Sequence, residues 1–324
     1  MHLFYLILGL VMVVVGAQYL VDGASAIAKK FHMSQFLIGL TIVGIGTSMP
    51  EMVVSVIGAL QGKGDVAIGN VTGSNAANIL LILGITTLIR PVMISKSTLK
   101  LDIPFNILST VLLLLFAFGL TFWKTPASGV ITRWEGLIFI ALFVVFMVYA
   151  FITGKQEGIT SDAKEEENVN VKKNIPVWLM AIMVGGGLGA LIFGGQFFVR
   201  GATHLAESLG ISHAVISITV LALGTSLPEL ATSVVAAIKG NTQLALGNII
   251  GSNIFNVFLI LGVSSVIQPL NTGSIVPMDI YVNILAACML LLAAFTFKKN
   301  RLDKPEGIIF LLVYLAYVYM LAVR

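Results

Sequence analysis

The chain has 324 residues, of which 57% are apolar and 10% charged, and a formal net charge of +4, with a mean hydropathy of +1.00. That composition excludes a soluble globular domain and leaves an integral membrane protein. No stretch alternates with period two, which excludes a lipid-facing barrel, and the positive charge sits in loop lysines and arginines, where it speaks to topology and gives no sign of a nucleic-acid partner.

The fold class expected is all-α, with ten transmembrane helices at roughly 2–21, 36–61, 66–89, 103–122, 134–153, 176–198, 213–238, 244–268, 278–296 and 305–322. The first span begins beside Met1 without a basic n-region or a small-residue cleavage site, so it is read as a retained helix and not a signal peptide. The second carries GIGTSMPE at 44–51. Pro50 cannot donate to the carbonyl of Gly46, so a kink that frees main-chain oxygens is expected there. Thr47 and Ser48 precede Glu51 by four and three residues, which brings two hydroxyls toward the carboxylate. The third span carries GNVTGSNAAN at 69–78, with Ser74 and Asn78 on one face. Asn70 and Asn75 fall on less favourable faces and are expected to be structural, and Gly69 with Gly73 have the spacing of close helix packing. After the fifth span, GKQEGITSDAKEEENVNVKKN is charged and lacks apolar periodicity. It reads as a solvated linker, 154–175, between a first five-helix unit at 1–153 and a second at 176–324.

The second unit repeats the first. Shifted by 178 positions, VRGATHLA falls on VDGASAIA, ALGTSLPE on GIGTSMPE, GNIIGSNIFN on GNVTGSNAAN and LILGVSSVIQP on LILGITTLIRP, with about 29 of the 71 positions from Val21 to Pro91 identical. Thr225, Ser226, Pro228, Glu229, Asn248, Ser252, Asn253 and Asn256 therefore stand where Thr47, Ser48, Pro50, Glu51, Asn70, Ser74, Asn75 and Asn78 stand. An odd number of helices per unit makes the second enter the membrane from the opposite side, giving inverted repeats. The loop charges agree: one alternate set of loops holds about 14 lysines and arginines and the other, with the termini, about 5. The basic set is expected in the cytoplasm, which puts both termini outside a multi-pass protein of the plasma membrane.

A carboxylate in mid-bilayer costs about 2.5–3.5 kcal/mol on insertion scales and more in simulation, so Glu51 and Glu229 need partners. No lysine or arginine in a nearby span can serve both. Their neighbours are hydroxyls, amides and freed carbonyls, all oxygen ligands, with no imidazole or thiolate among them. The four histidines lack metal-ligand spacing, and Cys288 stands alone in an apolar run. An oxygen-only set selects hard cations. Two carboxylates are neutralised by one Ca²⁺ or by several Na⁺ ions, which are close to it in size, whereas Mg²⁺ dehydrates reluctantly. Because an empty cage would leave both charges bare in a low-dielectric interior, exchange of one ion for the other is expected.

At these residues the chain resembles the cation/calcium antiporter superfamily, sodium/calcium exchanger branch: the paired GTSxPE and GNxxGSNxxN motifs are similar to its α-repeat signatures, and the likeness extends over essentially the whole chain. What the resemblance implies is a central site for one Ca²⁺ and several Na⁺ ions, with Glu51 and Glu229 as shared ligands. Thr47, Ser48, Thr225 and Ser226 stand around them, Ser74, Asn78, Ser252 and Asn256 come from adjoining helices, and the main-chain oxygens of Gly44 and Ala222 complete the set. The first and sixth helices resemble the gate that slides between access states. Asparagine at both 78 and 256, where some relatives have an acid at the second, weakens a K⁺- or H⁺-coupled alternative. The implied activity is Na⁺/Ca²⁺ antiport by alternating access, with no resident cofactor and no enzymatic chemistry, and the oligomeric state is left open, a monomer included. An intramembrane hydrolase needs unlike partners in unlike roles, and the two copies carry the same residues. A passive pore does not need a closed, duplicated cage.

Overall fold

The computed structural model describes residues 2–119, 129–161, 175–208 and 224–323. In chain order the helices are α1 (His2–Lys30), α2 (Gln35–Thr47), α3 (Met49–Leu60), α4 (Gly64–Ile89), α5 (Thr98–Ala117), α6 (Arg133–Ser161), α7 (Val177–Ser208), α8 (Leu227–Ile238), α9 (Thr242–Ile267), α10 (Pro277–Ala293) and α11 (Lys304–Val323). Among the described residues seven are long and apolar enough to cross a bilayer, and α2 with α3 makes an eighth as one span bent by 46°. The ten expected spans are not all met in this way. The expected seventh, 213–238, is described only from residue 224, and α10, the expected ninth, has 17 residues.

Several helices overrun the apolar stretches that announce them. α1 runs to Lys30, α6 to Ser161, into the stretch expected as linker, and α7 to Ser208. At about 1.5 Å per residue, the 29 residues of α1 and 32 of α7 exceed a hydrocarbon layer of about 30 Å. Hydrophobicity marks where a helix meets lipid; hydrogen bonding along the helix continues into polar residues beyond it.

α4 and α9 form the centre: 72% and 83% of their apolar windows are buried, against 22% for α6, α7 and α11. Each contains a π-helical stretch, Ala77–Leu83 and Asn256–Leu261, ending at Gly84 and Gly262. α9 lies against α2 through Gly247 and Gly251, where a Cβ would collide with the main chain of Phe36 and Leu40. The equivalent neighbours expected for Gly69 and Gly73, 214–218, lie outside the described residues. Phenylalanines of α5, α6 and α9 fill the flank, with ring centroids 5.1 Å apart for Phe105 and Phe146 and 5.8 Å for Phe139 and Phe258.

α1 and α7 pack chiefly on each other. Their seam is glycine at heptad spacing, Gly9, Gly16 and Gly23 against Gly187, Gly194 and Gly201, and a Cβ on Gly16 would come within 2.8 Å of the Gly187 carbonyl oxygen. Small residues let the two backbones touch where lipid supplies no hydrophobic drive for association. Two strand pairs of two residues each tie one half of the chain to the other: β1 (Val92–Met93) with β4 (Arg301–Leu302), and β2 (Val130–Ile131) with β3 (Leu270–Asn271), both antiparallel. They are too short to leave a period-two pattern.

Candidate cation site

The helix break that divides α2 from α3 recurs before α8. Ser48 and Ser226 have nearly the same main-chain angles, φ −82°, ψ 6° and φ −85°, ψ 5°, and in each copy the proline follows in the first turn of the next helix. The break places Glu51 and Glu229 in the first turns of α3 and α8, buried at 0% and 1% exposure. It also rotates each serine off the face of its own helix. Ser48 Oγ donates to Glu229 Oε1 at 3.1 Å and Ser226 Oγ to Glu51 Oε1 at 3.5 Å, so each hydroxyl serves the carboxylate of the other copy.

Ser74, Ser252 and Thr47 join them. Ser74 donates to Glu51 Oε1 at 3.4 Å and receives Ser226 Oγ at 3.1 Å. Ser252 donates to the Gly44 carbonyl at 3.3 Å. Thr47 donates to Asn248 Oδ1 at 3.1 Å and lies 3.5 Å from the Gly44 carbonyl. Thr225 sits half-buried at the break before α8. Ala222 lies outside the described residues. Asn78 and Asn256 stand at the start of the two π-helical stretches and are buried.

Among the described residues four buried oxygens of these groups receive no hydrogen bond: Glu51 Oε2, Glu229 Oε2, Asn78 Oδ1 and Asn256 Oδ1. All four are acceptors. Buried acceptors without donors are costly unless something positively charged meets them, and oxygens of these types are the ligands of Na⁺ and Ca²⁺. Among the described residues no group of three or more His, Cys, Asp or Glu side chains could hold a metal ion in the manner of a transition-metal site.

Asn70, expected to be structural, and its counterpart Asn248 form a supporting layer whose particular partners helical spacing did not show. Asn70 Nδ2 donates to the Glu51 carbonyl and to Ser55 Oγ, both at 3.1 Å, and Asn248 Nδ2 to the Glu229 carbonyl at 3.5 Å and to Ser233 Oγ at 3.0 Å. Identity of all these positions between the two copies was the available signal.

The surroundings are unequal on the two flanks. A cavity of about 340 Å³ lies between α3, α7 and the start of α8, lined among others by Pro50, Gln196, Arg200 and Thr225. At the other end of the bundle α1 is fastened: Lys239 pairs with Asp22, and Asn241 Nδ2 donates to Ser25 Oγ at 3.0 Å and Gln35 Oε1 at 2.9 Å.

A multi-pass helical bundle that buries two carboxylates among hydroxyls and amides is of the kind found in membrane cation transporters. The family described as sodium/calcium exchanger protein matches residues 1–152 and 179–323. CaxA of Alkalimonas amylolytica is 39% identical over 319 residues, covering 98% of this chain and 97% of that protein, and the sodium/calcium exchanger MaX1 of Methanosarcina acetivorans is 34% identical over 344 residues, with the same coverage of 98% and 97%. The solved structure of the sodium-calcium exchanger NCX_Mj soaked with 10 mM Na⁺ superposes with a TM-score of 0.82 at 30% identity, covering 98% of both chains. The chain belongs to the sodium/calcium exchanger family.

Proposed function

We propose that this protein exchanges Na⁺ for Ca²⁺ across the plasma membrane by alternating access to the cage between Glu51 and Glu229. The observation that carries the proposal is the set of four oxygens, from two carboxylates and two amides, that lack donors among the described residues. Thr47, Ser48, Thr225, Ser226, Ser74, Ser252 and the Gly44 and Ala222 carbonyls supply the remaining ligands. One Ca²⁺ or several Na⁺ ions satisfy two carboxylates, and neither is released without a replacement because the bare pair is costly in a low-dielectric interior. Coupling follows from that cost.

The architecture that goes with this function is ten spans in two inverted five-helix units, 1–153 and 176–324, joined by a cytoplasmic linker, with both termini outside. The duplicated hydrogen bonds at an offset of 178 residues and the loop charges support it. The close-packed α1 and α7 pair is the moving part, sliding over the central helices to open the cage to one side at a time, and the unequal flanks of the site fit one such position. The test is Ca²⁺ flux into proteoliposomes with and without an opposing Na⁺ gradient. Flux driven by Na⁺ is expected; flux that ignores Na⁺ and follows a pH or K⁺ gradient overturns the choice of counter-ion.

A further inference from the structure

Among the described residues the hydrogen bonds of Asn75 and Asn253 run to each other's main chain and to Asn256 and Asn78, not to the carboxylates. Asn75 Nδ2 donates to the main-chain oxygen of Asn253 at 3.1 Å, and Asn253 Nδ2 to that of Asn75 at 3.3 Å. A main-chain carbonyl only accepts, so each amide must turn its nitrogen toward it and its oxygen away. Those outward oxygens are met by the ligand pair: Asn78 Nδ2 donates to Asn253 Oδ1 at 2.9 Å, and Asn256 Nδ2 to Asn75 Oδ1 at 3.0 Å. A flip of Asn78 or Asn256 would set oxygen against oxygen at hydrogen-bond distance. Both therefore hold their nitrogen in the clasp and leave Oδ1 buried and, among the described residues, donorless. All four side chains are 1–2% exposed, so water does not offer an alternative partner.

Resting on the cation-cage reading above, we infer that Asn75 and Asn253 are positioning residues for cation binding, a crossed amide clasp that obliges Asn78 and Asn256 to offer carbonyl oxygen and not N–H to the ion. Without the clasp either amide can turn a donor toward a cation, which repels it.

The test is a set of double-mutant cycles, read as the rise in Tm of the purified full chain on titration with Na⁺ alone and Ca²⁺ alone. Asn253→Ala is expected to weaken apparent cation affinity about 10- to 100-fold, the size usual for losing a group that orients a ligand. Asn78→Ala should add little to that loss, because an unclasped Asn78 is already ineffective. In Asn253→Asp a carboxylate oxygen still accepts from Asn78 Nδ2, and there Asn78→Ala should have its full effect. A merely structural Asn253 gives losses that multiply, and multiplying losses in a wild type that binds both ions overturn the clasp alone. A wild type stabilised by neither ion overturns the cage reading, and the clasp with it. If Asn253→Ala does not fold, Asn75→Ala with Asn256→Ala runs the same cycle at the mirrored pair.

Discussion

Alanine at Gly16 separates two effects of opposite sign. In a helix interior Gly→Ala is favourable by about 1 kcal/mol through backbone entropy. At Gly16 the added methyl would stand 2.8 Å from the Gly187 oxygen, 2.9 Å from the Leu191 nitrogen and 3.0 Å from Ala190 Cβ. Two of these are main-chain atoms that cannot swing aside, so α1 and α7 must part by roughly 0.5–1 Å, a gap that forfeits a quarter to a half of each contact's attraction. Overpacking of this kind costs about 1–3 kcal/mol, so the clash outweighs the propensity and Gly16→Ala should lower the Tm in detergent by a few degrees. Gly186 provides the control on the partner helix: it is exposed and has nothing within 4 Å of an added Cβ. Gly186→Ala should leave the Tm unchanged or slightly raised. A Gly16→Ala protein at or above the wild-type Tm, or an equal fall for both variants, refutes a backbone-contact seam.

Glu229→Gln and Glu51→Gln should each abolish Ca²⁺ exchange while the protein still inserts and folds, since one unit charge about 4 Å from a monovalent ion contributes about 4 kcal/mol at an effective dielectric of 20, and twice that for Ca²⁺; normal flux in either variant removes that residue from the site. Acidification should inhibit exchange, because protonation of Glu51 and Glu229 removes the charge that holds the ions: transport is present at higher pH and is lost as pH falls, and raising Ca²⁺ should restore it. Flux that is indifferent to acid well below neutrality contradicts this. Asp22→Asn should loosen α1 only mildly, since an ion pair with side chains 51% and 32% exposed contributes about 0–1 kcal/mol. A cysteine at Gln196, in a Cys288→Ala background, reports the balance of access states by its labelling rate, which should move by no more than about five-fold and less at high salt; a larger, salt-insensitive change would show that the pair does more than fasten one end.

The membrane class, the sequence repeat and the burial of the two glutamates were legible because each rests on a pattern that survives in one dimension: apolar run length, a constant offset, and an acid where lipid forbids one. Proline placed the breaks, and the 46° bend lies where Pro50 announces it. The partners of Ser48 and Ser226 were not legible. Helical spacing puts each beside its own carboxylate, but the break takes the serine out of helical geometry, so the rule of three- and four-residue neighbours does not apply to it. The π-helical stretches that begin beside Asn78 and Asn256 leave no compositional trace, since ANILLIL and NVFLIL would read equally well as ordinary helix. Asn75 and Asn253 were read as structural, and each does bind the other's main chain, but that they meet across the two halves was not legible, since a helical wheel shows which side a residue faces and not that two wheels meet.

The interlocking of the two halves bears on how the protein is made. When the ribosome has finished α6, Glu51 is in place, but the serine that donates to it from residue 226 and the amide of residue 253 that faces Asn75 do not yet exist. Val92 likewise awaits Leu302. A chain that ends after α6 lacks the partners that Asn75 and Val92 have in the whole protein, so the hydrogen bonding of the first half is completed only when the second arrives.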